Sequence, residues 1–419
     1  MKVLILTYYW PPAGGSGVQR WLKFVKYFRD FGIEPVVYTV ENPSYAIEDN
    51  NLKNDIPVGV EVLRQPIWEP NNLLGKKKRT SAGFLEANPS FIGKIAHYIR
   101  ANYFIPDARK YWVKPSVKFL SQYVQEHKID VVISTGPPHS MHMIGMELKK
   151  KFGIKWISDF RDPWTDIDYF YQLPLTKRSI RKHTKLEKEV LLNSDAVLVV
   201  GKTMKENYRK FNPAIHVVTN GYDALIQKSD VHLDEKFSLT HIGMMNDDRN
   251  PKILWKVLSE IVEENSEFKK DLEIKLIGKV SESCLEEINE NGLSENFSLI
   301  DYLPHSEVLS YQQSSQVLLL AINDVPSARG IITGKIFEYL NANRPILAIG
   351  PTDGDLSEIL NCTNAGIVID FNDETSLKST LLEFYRLYKE KSLQVYSMNI
   401  EQYHRRNLTK KISKIIKKI

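Results

Sequence analysis

The sequence predicts an α/β protein of two doubly wound domains, and three observations predict it. A strand, a glycine-rich turn, a helix and a second strand open the chain, the order in which a parallel sheet winds. A second series of apolar strands alternating with helices begins near residue 238, after a polar stretch. At 419 residues the chain is also long enough for two domains of about 200 residues each.

Lys2–Thr7 reads as a buried strand and Pro11–Arg20 (PPAGGSGVQR) as the glycine-rich turn. Trp21–Phe31 follows as a helix, with Trp21, Leu22, Val25 and Phe28 at helical spacing, and Pro35–Val40 as the next strand. Residues 41 to 114 are less regular, carry the basic run Lys76–Arg79, and read as an insertion rather than core. Alternation resumes with helix Pro115–Glu126, strand Asp130–Ser134, helix Ser140–Phe152 and strand Lys155–Asp159. Helix Leu175–Asn193, strand Ala196–Val200, helix Lys202–Phe211 and strand His216–Thr219 complete the first half. Asn220-Gly221-Tyr222-Asp223 signals a turn, and the polar segment through Lys236 reads as the hinge.

The strands of the second half are Ser238–Gly243, Glu273–Gly278, Phe297–Asp301, Gln316–Ile322, Pro345–Gly350 and Gly366–Asp370, and helix Glu374–Tyr388 closes the series. The tail places Ile412, Ile415, Ile416 and Ile419 on one helical stripe with lysines opposite. Such a helix either docks on the protein or lies on anionic lipid.

A hydrophobic content of 42% and a charged content of 26% are those of a globular protein. The formal net charge of +5 is small for this length and argues against a dedicated nucleic-acid binder. Cys284 and Cys362 are the only cysteines, which excludes a disulfide framework and fits a reducing cytoplasm. The apolar run Val3–Leu6 meets Pro11-Pro12 too soon for a signal peptide, and no segment nears the roughly 18 apolar residues that span a bilayer. A soluble protein, or one attached to a membrane surface, is expected.

Ligands of open α/β sheets bind beyond the carboxyl ends of strands, and the chemistry-bearing residues cluster there. In Gly330–Ala342 (GIITGKIFEYLNA) the turn Thr333-Gly334-Lys335 opens an amphipathic helix, whose unpaired N–H groups and partial positive charge suit a phosphate. Gly334 permits close approach, Lys335 adds a full charge, and Glu338 one turn along can accept hydrogen bonds from a ribose diol. An ordinary helix start with a surface Lys and Glu fits the stretch equally well. Gly15, Ser16 and Gly17 offer N–H groups to an anion or a sugar, although Gln19 or Arg20 stands where a dinucleotide loop has its third glycine.

His139, in Ser134–His142, precedes a helix and can turn its ring into a cleft or serve structure alone. Asp159, Arg161 and Asp162 in SDFRDPW form either an internal salt-bridge network or a polar wall for sugar or acceptor hydroxyls. Arg249 in GMMNDDRNP, just before Pro251 at a helix N1 position, can grip a diphosphate bidentately or sit on the surface. Asp353-Gly354-Asp355 is formally a metal-holding D-x-D, but its setting favours a turn and helix cap. No His/Cys cluster suggests zinc and no catalytic triad appears, so no metal ligand is assigned.

Together, PPAGGSGVQR, SDFRDPW, TNGYD, GMMNDDRNP, GKIFEYLNANRPILAIG and NAGIVID resemble the family-4, retaining glycosyltransferases of the GT-B fold, particularly bacterial enzymes of surface-polysaccharide assembly. The resemblance implies two Rossmann-like domains facing across a cleft. Residues 1–222, completed by a helix over 400–419, form the acceptor side, with 41–114 its acceptor- or membrane-side insertion, and residues 223–399 hold the donor. It implies that Arg249 and Lys335 neutralise the donor diphosphate with help from Thr333 and Gly334, and that Glu338 binds ribose. Gly15, Ser16 and Gly17 would line the reacting region and His139 would touch the donor sugar.

Two positions depart from the family. Gly330 stands where a sugar-contacting Glu is common, and Asn250 replaces the lysine that often follows the Arg of the second-half motif. The expected activity is transfer of a sugar from a nucleoside-diphosphate sugar to a hydroxyl of a glycan or lipid-linked acceptor, without cofactor or metal. The expected setting is the cytoplasm, an anionic membrane surface remaining open as a partner, with no nucleic acid. A sugar-nucleotide 2-epimerase of the same fold and a non-catalytic scaffold with a decayed site stay open as alternatives. The broken glycine spacing disfavours a dinucleotide-dependent oxidoreductase.

Overall fold

A computed structural model describes residues 1–43, 45, 47–69, 91–223, 232–301, 303 and 305–419. The run Lys76–Arg79 lies outside these residues, as does the middle of the expected hinge. The chain divides into two units, Met1–Asp223 with Arg405–Ile419, and Ala224–His404.

The first unit runs β1 (Lys2–Leu6), α1 (Ser16–Phe28), β2 (Glu34–Val40), β3 (Glu61–Gln65), α2 (Phe91–Tyr103), α3 (Val113–His127), β4 (Val131–Gly136), α4 (Ser140–Phe152), β5 (Lys155–Phe160), α5 (Lys177–Asn193), β6 (Ala196–Val199), α6 (Lys202–Tyr208) and β7 (Ile215–Val217). Its seven strands pair in parallel in the order β3-β2-β1-β4-β5-β6-β7. Every residue of β4 is buried, and β1 and β2 are buried after their first residue, as expected of strands covered by helices on both faces. The strand order reverses between β1 and β4, which makes the carboxyl ends of these two strands the switch point.

Two expectations are corrected here. The glycine-rich turn is shorter than expected, because α1 starts at Ser16 and not at Trp21. Gly15, with φ of 81°, supplies the left-handed residue at which the chain swings from turn into helix. The irregular stretch after β2 also contributes to the sheet: β3 pairs with β2 from Glu61 to Gln65. This edge strand is only half-buried, so its sequence lacks the apolar run that marks the central strands.

The second unit contains β8 (Phe237–Ile242), α7 (Lys252–Glu264), α8 (Ser266–Asp271), β9 (Leu272–Ile277), α9 (Glu282–Glu290), β10 (Phe297–Ile300), α10 (His305–Ser314), β11 (Val317–Ala321), α11 (Lys335–Ala342), β12 (Ile346–Ile349), α12 (Asp355–Thr363), β13 (Gly366–Ile369) and α13 (Glu374–Lys389). Its six strands are again parallel, in the order β10-β9-β8-β11-β12-β13, with the reversal between β8 and β11. The core is built from Phe237, Leu239, Trp255, Leu258, Phe268, Leu319 and Leu347.

The tail forms α14 (Arg405–Lys418), which returns to the first unit, while the 3-10 turn Ile400–Tyr403 before it stays with the second, Tyr403 lying against Phe337. Leu408, Ile412, Ile415 and Ile416 join the first unit's core, where α14 packs against α1. Burial of that stripe takes the isoleucines out of water, at roughly 1.5–3 kcal/mol per side chain. Arg406 pairs with Asp30 at 2.8 Å and Lys417 donates to the Phe31 carbonyl at 2.7 Å, so the lysine-rich face also makes protein contacts. No helix among the described residues is long and apolar enough to cross a membrane.

Candidate active site

Three segments meet at the switch point of the second unit. β8 ends in His241 and Ile242, and Gly243 turns the chain with φ of 111°. A Cβ at Gly243 would sit 2.7 Å from Cε and 2.9 Å from Nζ of Lys335, so glycine is needed for the lysine to lie across this turn. The Lys335 ammonium lies 3.1 Å from Nε2 of His241, whose Nδ1 is 3.1 Å from the Leu319 carbonyl. The carbonyl can only accept, so Nδ1 carries the proton and Nε2 accepts from Lys335. Burial and the charges of Lys335 and Arg249 hold the imidazole neutral, with a pKa well below its ordinary value.

Lys335, partly buried, is pushed down to about 7, chiefly by desolvation and then by the Arg249 guanidinium. Arg249 belongs to the 3-10 turn Asp247–Arg249, with Pro251 as the residue before α7; it donates from Nε to Asn323 Oδ1 at 2.9 Å and from Nη1 to the Met244 carbonyl at 3.0 Å. The loops after β8 and β11 thus bring two cations together at one end of the sheet.

Thr333 Oγ1 accepts from the Lys335 N–H at 3.2 Å, and Gly334 is exposed with open space where a Cβ would stand. Glu338 accepts from Gln312 Nε2 through Oε2 at 3.2 Å, and its Oε1 takes no bond among the described residues. Asn250 turns inward, donating to Glu287 at 2.6 Å and accepting from the Trp255 indole at 2.7 Å. Asp353 pairs with Arg329 at 3.2 Å, and Asp355 is buried at the start of α12. Gly330 ends a 3-10 turn beside Arg329.

The first unit gathers the other candidates around β1, β4 and β5. Arg161 donates to the carbonyls of Gly17 at 2.7 Å, Gly136 at 3.3 Å and Pro137, fastening the first turn of α1 to the end of β4 and the loop after it. Asp159 has another job. Its carboxylate, fully buried, accepts from Arg20 at 2.8 and 3.2 Å, from the Trp21 indole at 2.7 Å and from Thr135 at 2.8 Å. Burial alone would raise its pKa, but Arg20 and the two neutral donors hold it below the usual carboxylate range. Asp159 is therefore a tie between α1 and the sheet and not part of an exposed wall, whereas Asp162 is exposed.

Of the two places open to His139, the structure takes the internal one. Its ring is buried and stacked on Trp164, with centroids 4.3 Å apart and planes within 2°. Desolvation and the neighbouring His142, His183 and Arg161 keep it neutral, and its Nδ1 has no partner among the described residues. Sequence reading missed His241, Asn323 and Arg20, the side chains that orient Lys335, Arg249 and Asp159.

Residues 15–224 match the family model for Glycosyltransferase Family 4. The chain belongs to this family. No curated protein matches the sequence. Among solved structures, this glycosyltransferase is similar to Anabaena HepE in complex with UDP-glucose, with a TM-score of 0.62 at 12% identity over 100% of both chains. It is similar to WaaG, a glycosyltransferase involved in lipopolysaccharide biosynthesis, with a TM-score of 0.56 at 14% identity over 99% of both chains. A putative UDP-N-acetylglucosamine 2-epimerase from Listeria monocytogenes shares the fold too, with a TM-score of 0.57 at 14% identity over 99% of this chain and 95% of that one. These likenesses identify the two-domain GT-B fold.

Proposed function

We propose that this glycosyltransferase moves a sugar, with retention of configuration, from a nucleoside-diphosphate sugar to a hydroxyl of a glycan or lipid-linked acceptor in cell-surface polysaccharide assembly. The reading rests on one observation above all: Lys335 and Arg249 converge at the switch point of the second unit, with Glu338 one turn into the same helix. Two cations, one of them at the start of a helix, suit a diphosphate. Oε1 of Glu338, which takes no bond among the described residues, suits a ribose diol. Asn250 is committed to Glu287 and Trp255, so Arg249 and Lys335 carry the charge of the leaving group without a third cation from that motif.

In the proposed step the acceptor oxygen bonds to the anomeric carbon as the bond from that carbon to the phosphate oxygen breaks. The departing diphosphate takes the acceptor proton, and Arg249 and Lys335 stabilise the charge that develops on it. No protein nucleophile is required. His139, buried against Trp164 and held neutral, takes no part in proton transfer. Arg161 holds the start of α1, at Gly15, Ser16 and Gly17, against the loop after β4.

A thermal-shift screen against UDP-, GDP-, ADP- and dTDP-sugars tests the donor site, and one class should raise the melting temperature while Lys335→Ala abolishes the rise. Turnover should be unchanged by EDTA; metal-dependent turnover would shift attention to Asp353 and Asp355. An isomer formed from UDP-GlcNAc alone would favour the epimerase reading. A scaffold would show no nucleotide affinity at all.

A further inference from the structure

We propose that Gln312 is a positioning residue for the donor, holding the Glu338 carboxylate where it meets the two hydroxyls of the ribose. The inference rests on the donor-site reading of Glu338 and adds to it the side chain that aims that carboxylate. Gln312 lies on the last turn of α10, which packs against α11. It is 1% exposed, and of the described side chains of α10 it alone is buried. The most buried place on a surface helix usually goes to an apolar side chain. Here it goes to a primary amide, and that amide is only half satisfied.

Its Nε2 donates to Oε2 of Glu338 at 3.2 Å, while its Oε1 is buried with no partner among the described residues. A carboxylate only accepts, so the amide nitrogen must face it, and turning the amide over would set oxygen against oxygen. The bond to Glu338 thus fixes the amide and leaves a buried carbonyl unpaired, which lowers stability. A methionine or leucine in the same place would leave no such atom. An unpaired polar atom kept beside a ligand site marks a side chain retained for its effect on a neighbour.

Among the described residues Gln312 alone donates to Glu338, and no lysine or arginine pairs with it. A neutral donor suits this place. It takes one acceptor position of the carboxylate and leaves Oε1 and the far side of Oε2 for a diol. A cation there would also cancel the charge that attracts the hydroxyl protons. Without the amide the Glu338 side chain is free to turn away, and donor binding must then bear the cost of ordering it.

Calorimetric titration with UDP, GDP and ADP, each beside its 2′-deoxy form, tests this on the wild type, Gln312→Met, Gln312→Leu, Glu338→Ala and the double variant Gln312→Met/Glu338→Ala. The wild type should prefer the ribose form of the nucleotide it binds. Gln312→Met should lose about tenfold in affinity and most of that preference. In turnover the loss should fall on KM, since the diphosphate separates the ribose from the reacting bond. The double variant should bind as Glu338→Ala does, because the amide acts only through the carboxylate. Neither single Gln312 variant should melt below the wild type. If Glu338→Ala binds as the wild type does, or no nucleotide binds, the donor-site reading fails and the proposal goes with it. If Glu338→Ala weakens binding but both Gln312 variants keep wild-type affinity and ribose preference, the proposal alone is overturned. A lower melting temperature in both Gln312 variants with the preference intact would make the amide structural and overturn it equally.

Discussion

Nζ of Lys335 rests 3.1 Å from Nε2 of His241, in a space that exists because residue 243 has no side chain. The lysine is thus aimed by a neutral imidazole beside it and by the absence of a Cβ beneath it. Lys335→Ala is expected to cut turnover by about two orders of magnitude, as removal of a contact to a developing oxyanion does. Steady-state rates with a saturating donor check this, and near-normal kcat would remove Lys335 from the mechanism.

A pKa of about 7 for Lys335 in the free enzyme makes donor binding pH-dependent. An anion binds the ammonium form and raises its pKa. Affinity should therefore be level below neutrality and fall by up to tenfold per pH unit above about 7, until the pKa of the complex is reached. Calorimetric titration with the nucleotide sugar between mildly acidic and alkaline pH measures it, and protons should be taken up on binding above neutrality. A flat profile would mean that the lysine is fully charged before the donor arrives.

Gly243→Ala should weaken both fold and donor binding. The new Cβ would meet Lys335 Cε at 2.7 Å and sit on a backbone with φ of 111°. Left-handed strain of about 1–2 kcal/mol is expected, along with displacement of the ammonium. Thermal denaturation should show the first effect, and a loss of donor affinity of about tenfold the second. A variant with wild-type affinity would show that the lysine need not occupy this place.

Asp159→Ala should destabilise the protein by about 3–5 kcal/mol, since it leaves the Arg20 guanidinium buried without its carboxylate. Urea denaturation followed by tryptophan fluorescence reports this directly, because the same carboxylate holds the Trp21 indole. If stability were unchanged and only acceptor affinity fell, Asp159 would return to the acceptor wall.

The contrast between Asp159 and Lys335 shows what the sequence could convey. Glycines, a lysine and a glutamate spaced along one turn and helix are a local pattern, and Thr333 to Glu338 was legible for that reason. The partner of Asp159 is Arg20, 139 positions away, and no local pattern marks such a pair. His241 looks like the end of one more apolar strand until the strand order places it beside Lys335. Central strands declared themselves by continuous apolar runs, while β3, half-buried at the sheet edge, did not. The stripe of α14 was visible, but only the packing of Ile412 and Ile416 in the first unit's core decided between protein and lipid as its cover.

The return of α14 to the first unit also sets an order on biosynthesis. During translation, residues 1–223 leave the ribosome without the helix that covers α1, and the whole of residues 224–404 must be made before that helix emerges. The nascent first unit therefore exposes the face of α1 that α14 covers to chaperones for the time taken to synthesise its neighbour, and a stop codon just upstream of Arg405 would leave that apolar surface uncovered for good.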